Sequence, residues 1–195
     1  PTLNGAIQTT HDGLLVVEGC LQGVLMHVPR RPHDKERADQ IKSGSIFVYE
    51  ENASGIKRWT DGLTWSPSRI MGNFLIYREL EKPFPPGEKK RAVKRKRSTD
   101  EESDSDTKAK VKAEVKPSTP QRRILGSLVD SYGFKDGGLV KKTMSIKYKG
   151  TTHHIISYYS VEDWIECKLQ RPVDMSTLSS LPIRQELIEE QNFRA

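Results

Sequence analysis

Residues 139–159 read LVKKTMSIKYKGTTHHIISYY, and their pattern decides the fold class. From Leu139 to Lys149 the residue character alternates: Met144, Ile146 and Tyr148 share one face, Lys147 and Lys149 the other. A period of two belongs to a β-strand, whose successive side chains point to opposite sides. Lys149-Gly150-Thr151 supplies a turn, and the β-branched and aromatic run from Thr152 to Tyr159 returns as a second strand. A hairpin with this much apolar surface needs cover from the rest of the chain.

Working outward, Ser160 with Glu162 and Asp163 behind it predicts a helix cap, and residues 182–191 predict a last short helix. Upstream, residues 14–18 and 21–28, separated by Gly19, read as two strands. A short helix is expected within residues 33–42, begun by Pro32 and ended by Ser43-Gly44. Ser45–Glu50 is a strand by its β-branched and aromatic content, with residues 56–60 as its returning partner after a turn. Ser66-Pro67 suggests another helix cap, and residues 74–80 another strand. The expectation is an α+β fold of two intertwined, mainly antiparallel β-sheets with a few short helices. Residues 4–81 and 124–195 form its halves, because each carries large apolar strands with too few helices to cover them.

Between the halves, residues 82–123 hold prolines, lysine runs and an acidic serine tract, and read as a disordered charged linker. Residues 88–123 carry 13 basic and 7 acidic side chains, a surplus equal to the +6 of the whole 195-residue chain. The two halves are therefore neutral in sum, and a basic surface on the fold must be a local patch. Lys94, Arg95, Lys96 and Arg97 form a basic cluster of the kind that serves as a nuclear localisation signal, which implies the nucleus.

Catalytic and cofactor chemistry find no support. His153 and His154 are adjacent and so face opposite sides of a strand; the other histidines lack ligand-spaced partners. Cys20 and Cys167 are far apart, so no metal or other cofactor is expected. No apolar run is long enough for a membrane span. The chain begins at Pro1 without a signal-like stretch, the expectation for a segment of a longer protein.

Residues 31–80 open RPHDKERADQIKSGSIFVYEENASGIKRWTDGLTWSPSRI. This stretch resembles the first half of the WOPR box, found in fungal transcription regulators of morphological switching. The later runs GLVKKTMSIKY and HHIISYYSVED are similar to its second half, and KRWTDGLTWSPSR, residues 57–69, is the most specific part. The resemblance implies a sequence-specific DNA-binding domain in which both halves interlock, reading an A/T-rich element largely through the minor groove.

With that implication, Lys57, Arg58, Trp59, Thr60 and Gly62 become the candidate reading loop. Basic residues beside a glycine turn suit the narrow, strongly negative minor groove of A/T-rich DNA. Arg31, Lys35 and Lys42 around the first short helix are candidates for phosphate or base-edge contact, Lys141 and Lys142 on the hairpin for phosphate, and Arg69 either for holding the loop or for backbone contact. Thr60 behind Arg58 fits a basophilic kinase site, where added charge would weaken DNA binding. Double-stranded DNA is the expected partner, with other transcription regulators beside it. The competing reading is a protein-interaction module of a chromatin-associated complex, with nonspecific DNA affinity from its linker.

Overall fold

The hairpin of residues 139–159 is the centre of the molecule. In the computed structural model, which describes residues 1–81, 135, 137–189 and 191, it consists of β5 (Leu139–Tyr148) and β6 (Thr151–Ser160). The first half contributes β1 (Leu3–Asn4), β2 (Ser45–Glu50), β3 (Arg69–Met71) and β4 (Phe74–Arg78). These flank the hairpin on both sides, giving one antiparallel sheet in the order β1-β2-β6-β5-β4-β3. Both halves do interlock in a single α+β unit, but through one six-stranded sheet rather than two. The strands of the first half are separated in space by those of the second, so neither half closes a sheet alone.

Helices complete the fold: α1 (Thr10–Leu21), α2 (Arg37–Gln40), α3 (Glu51–Ser54), α4 (Val161–Ile165) and α5 (Gln185–Glu189), with a 3₁₀ turn at Pro172–Asp174. No helix among the described residues is long and apolar enough to cross a membrane.

The largest departure from expectation is α1. Residues 14–18 and Leu21 are helical, and 22–28 form a turn and extended loop rather than a strand. The reason lies at its start. The Thr9 hydroxyl accepts from the Asp12 amide at 3.2 Å, while the Asp12 carboxylate accepts from the Thr9 amide at 3.0 Å. This reciprocal capping satisfies amides that the first helical turn would leave bare. Residues 12–20 are all buried, so the helix shows no polar stripe and its valines mimic a buried strand. Gly13 and Gly19 let it lie close: a Cβ at either would fall 2.7 Å from Met144 Sδ or 2.9 Å from Leu178 Cδ2.

Other corrections are smaller. The helix expected over residues 33–42 contracts to the single turn of α2. Residues 56–60 form no strand, because β6 already takes the edge of β2 that does not hold β1. Ser66 caps no helix: its hydroxyl accepts from the Arg78 amide at 3.0 Å and leads the chain into β3. The final helix is limited to Gln185–Glu189. The helix capped by Ser160 is present as α4, with the Ser160 hydroxyl accepting from Asp163 N. The linker reading and the basic cluster at Lys94–Arg97 lie outside the described residues.

The sheet is covered on both faces. On one, α1 and the C-terminal segment pack over Ile46, Val48, Met144, Ile146 and Ile155. On the other, Ile56, Trp59, Leu63 and Trp65 lie over Phe47, Tyr49, Ile156 and Tyr158. The candidate loop is thus also the lid of a core.

Candidate functional site

The loop performs both tasks by sending neighbouring side chains opposite ways. Ile56 and Asp61 are buried and Trp59, Leu63 and Trp65 partly so, whereas Lys57, Arg58, Thr60 and Gly62 are exposed. Trp59 stacks on Tyr49, ring centres 5.5 Å apart and planes 12° from parallel, and its Nε1 donates to the Tyr158 hydroxyl at 2.7 Å. Trp59 therefore forms part of the floor beneath the loop. Trp65 and Trp164 likewise pack against the core.

Beneath the loop, Asp61 is 4 % exposed and accepts four hydrogen bonds from three donors. Tyr158 OH donates at 2.6 Å, Trp65 Nε1 at 3.0 and 3.1 Å to its two oxygens, and the Leu63 amide at 3.0 Å; Lys141 Nζ stands at 3.8 Å. A buried carboxylate is tolerable only when paired and hydrogen-bonded in this way. Burial pushes the Tyr158 hydroxyl far above the usual phenol range, and the adjacent Asp61 carboxylate pushes it further. Tyr158 therefore remains a donor.

Above this hub, Gly62 has φ 77°, a left-handed conformation, and a Cβ there would overlap the Arg37 guanidinium. Glycine is needed twice over, for the backbone angle and for the contact. Arg31 holds the loop from outside, its Nη1 donating to the Arg58 carbonyl at 3.0 Å and the Thr60 hydroxyl at 2.9 Å. Arg37 pairs with Asp34 at 3.0 Å, and Arg30 with Glu36 at 2.7 Å. The hydrogen bond from Arg30, aided by that of the His33 amide, lowers the Glu36 carboxyl to about 2. Arg30, Arg31, His33, Lys35, Arg37 and Thr60 line an open cleft of about 750 Å³ beside the loop.

The structure thus gathers Arg31, Lys35, Arg58, Thr60 and Gly62 into one region, with Lys57 exposed on the same loop. Lys42 is exposed beyond α2 but is not among the residues lining the cleft. Arg69 is half-buried on β3 rather than at a helix start, and its buried Nε has no hydrogen-bond partner.

Lys141 and Lys142 contradict the expected exposed lysine face: they are 8 % and 4 % exposed. The cause is the two-sided cover. Adjacent strand residues point to opposite faces, so the pair buries one lysine on each. Lys141 lies over Trp65 and Tyr77, at 4.7 and 4.6 Å from the ring centres, and Lys142 over Phe74 and Trp164, at 4.3 and 5.0 Å. Neither serves as an exposed phosphate contact. Arg37 and the Asp61–Tyr158 pair, by contrast, had not been singled out. The one available signal was Asp61 two residues before Leu63, the spacing of an aspartate that bonds its own backbone.

The histidines of β6 split as their adjacency requires: His153 bonds His27 at 2.9 Å, and His154 stacks on Tyr49 with ring centres 4.8 Å apart. Among the described residues no three metal-ligating side chains converge.

Comparison with known proteins places these features in a family. The chain is 55% identical over 209 aligned residues to the global transcription regulator sge1 of Fusarium oxysporum f. sp. lycopersici, covering all of this chain and 63% of that protein. White-opaque regulator 1 of Candida albicans is 57% identical over 82 residues, 42% of this chain and 10% of that one. The chain thus spans less than two thirds of the length of the curated sge1 relatives it matches. Among solved structures, the WOPR domain of Wor1 from Candida albicans, in complex with a 13bp dsDNA, superposes with a TM-score of 0.65. Its sequence is 36% identical, over 97% of this chain and 94% of that one. The model of the Gti1/Pac2 family matches residues 2–160, which takes in all six strands and the whole loop. The chain belongs to the Gti1/Pac2 family.

Proposed function

We propose that the chain is a sequence-specific double-stranded DNA-binding domain of a nuclear transcription regulator. The reading rests on one observation above others: a relative alike over 97% of the chain was solved in complex with dsDNA. The geometry of the loop supports it. Lys57 and Arg58 project from a backbone whose inner side is anchored by Trp59, Asp61 and Trp65. Such preorganisation lowers the ordering cost of binding. Arg58 enters the minor groove of an A/T-rich element, where the narrow groove focuses negative potential. Gly62 allows close backbone approach. Lys35 and Lys42 contact phosphates, and Arg31 does so while holding the loop. The cluster Lys94–Arg97 acts as a nuclear localisation signal, and the linker lysines add sequence-independent affinity.

The test is binding to matched and scrambled A/T-rich duplexes across a salt series. Specific recognition retains a large preference for the matched duplex as salt rises, whereas linker-driven binding fades on both alike. Deleting residues 88–117 should leave that preference intact. Its disappearance would overturn the proposal.

A further inference from the structure

Three cross-strand neighbours stand in one row on the sheet face that carries the loop. Tyr49 of β2 pairs with His154 of β6, and His154 with Ser145 of β5. Their side chains touch in the same order. The His154 ring stacks on Tyr49, planes 25° from parallel, and its Nδ1 lies 3.0 Å from the Ser145 hydroxyl. Its other nitrogen, Nε2, lies 3.2 Å from Oε2 of Glu51, the first residue of α3. A neutral ring satisfies both contacts by accepting from Ser145 and donating to Glu51; a charged ring does so by donating twice. Either way the imidazole is held at both nitrogens and on a flat side, which fixes its orientation.

Two routes lead from this ring to the loop. One is a stack of rings, His154 on Tyr49 and Tyr49 on Trp59, the residue between Arg58 and Thr60. The other follows the chain from Glu51 through α3. The end of α3 is fixed by the Ser54 hydroxyl, which donates to the Glu50 carbonyl at 2.6 Å and accepts from the Ile56 amide at 3.1 Å, directly before Lys57. His154 keeps 22 % of its side chain exposed, so it serves the core less than it serves these contacts.

We infer that His154 is a positioning residue for DNA recognition, an assignment that rests on the DNA-binding reading of the loop. It acts through Tyr49 and Trp59 to fix where Arg58 points. A side chain that reads a groove must be held to within about 0.5 Å, by neighbours that are themselves locked. The stack carries most of the effect, because it ends on Trp59 beside Arg58, whereas Glu51 reaches the loop only through α3.

The test labels the full 195-residue chain with 5-fluorotryptophan, giving one fluorine resonance each for Trp59, Trp65 and Trp164. Trp59→Phe assigns the first. Without DNA, His154→Ala should shift and broaden the Trp59 resonance and leave that of Trp164, on the other face of the sheet, in place. His154→Phe keeps a ring on Tyr49 and should restore the resonance; His154→Gln keeps polar atoms without a ring and should not. The same variants are then titrated with matched and scrambled A/T-rich duplexes. His154→Ala and His154→Gln should lose about fivefold on the matched duplex and little on the scrambled one, with His154→Phe within about twofold of the unaltered chain. A Trp59 resonance unmoved in His154→Ala overturns the inference, and needs no DNA to do so. A moved resonance with an unchanged matched-to-scrambled ratio overturns it as well. Failure of the underlying reading is recognised separately, by the absence of any preference for the matched duplex in the unaltered chain.

Discussion

Tyr158 donates a 2.6 Å hydrogen bond to Asp61, joining the central strand of the second half to the loop of the first. The same hydroxyl accepts from Trp59 Nε1 at 2.7 Å, so one phenol ties both ends of the loop's inner surface to β6. The loop that presents Lys57 and Arg58 is in this way set by a residue 97 positions downstream of Asp61.

Tyr158→Phe should keep the ring in place and remove both hydrogen bonds. The cost is about 1–3 kcal/mol, since Asp61 loses a donor inside the core. Asp61→Ala should cost about 3–5 kcal/mol, because it leaves the Lys141 charge buried beside Trp65 without its partner. Urea unfolding of the two variants measures both, and equal, negligible losses would remove the hub from the account.

Gly62→Ala meets two obstacles, the left-handed φ of 77° and the Arg37 guanidinium beneath. A loss of about 1–2 kcal/mol of stability is expected by thermal melting, together with weaker DNA binding. Adding Arg37→Ala should recover part of the loss, because the steric obstacle is then gone while the backbone strain persists.

The C-terminal segment belongs to the folding unit although the family model ends at residue 160. Arg171 pairs with Asp12, and Arg184 makes two-pronged contact with Glu18; these carboxylates are 0 % and 1 % exposed. Truncation after Ser160 should therefore give a chain that does not fold cooperatively, and Arg184→Ala should cost about 3 kcal/mol. Burial alone would raise the Glu18 carboxyl, but the Arg184 hydrogen bonds outweigh it and hold it below the ordinary carboxylate value. A lowered folded-state value means that Glu18 stabilises the fold above the ordinary carboxylate range. That contribution is lost as pH falls through the folded value. The acid limb of a stability-versus-pH curve should be shallower in Arg184→Ala.

Thr60 is exposed, and its hydroxyl accepts from Arg31. Thr60→Glu, standing in for a phosphate, should lower affinity for A/T-rich duplex about tenfold, by placing negative charge beside Arg58 on the proposed DNA-binding loop. Electrophoretic mobility shifts measure it; binding equal to that of the unaltered chain would exclude phosphorylation of Thr60 as a charge-repulsion switch.

How much of this was legible depends on what each residue signals locally. The β5–β6 hairpin was readable because alternation and a Lys-Gly turn are short-range features. Helix α1 was not, since full burial erased its polar stripe, although the Thr9–Asp12 capping pair was there to be seen. Lys141 and Lys142 misled for a related reason. Alternation tells which residues share a face, not whether the opposite face is covered, and here Trp65 and Trp164 cover both. The strand order, with β2 and β4 on opposite sides of the hairpin, rests on pairings across more than 60 residues and has no local signal. The outward set of Lys57, Arg58 and Thr60 came from the family resemblance; the reason they face outward is Asp61 and the tryptophans beneath.

The central claim is that specificity rests on a few placed residues, with Arg58 foremost, rather than on bulk charge. It is tested most directly by comparing Arg58→Ala with the unaltered chain on matched and scrambled A/T-rich duplexes at one salt concentration. The account predicts a loss of about 1–3 kcal/mol on the matched duplex, a much smaller change on the scrambled one and unchanged thermal stability. An equal loss on both duplexes, or none on either, would contradict it.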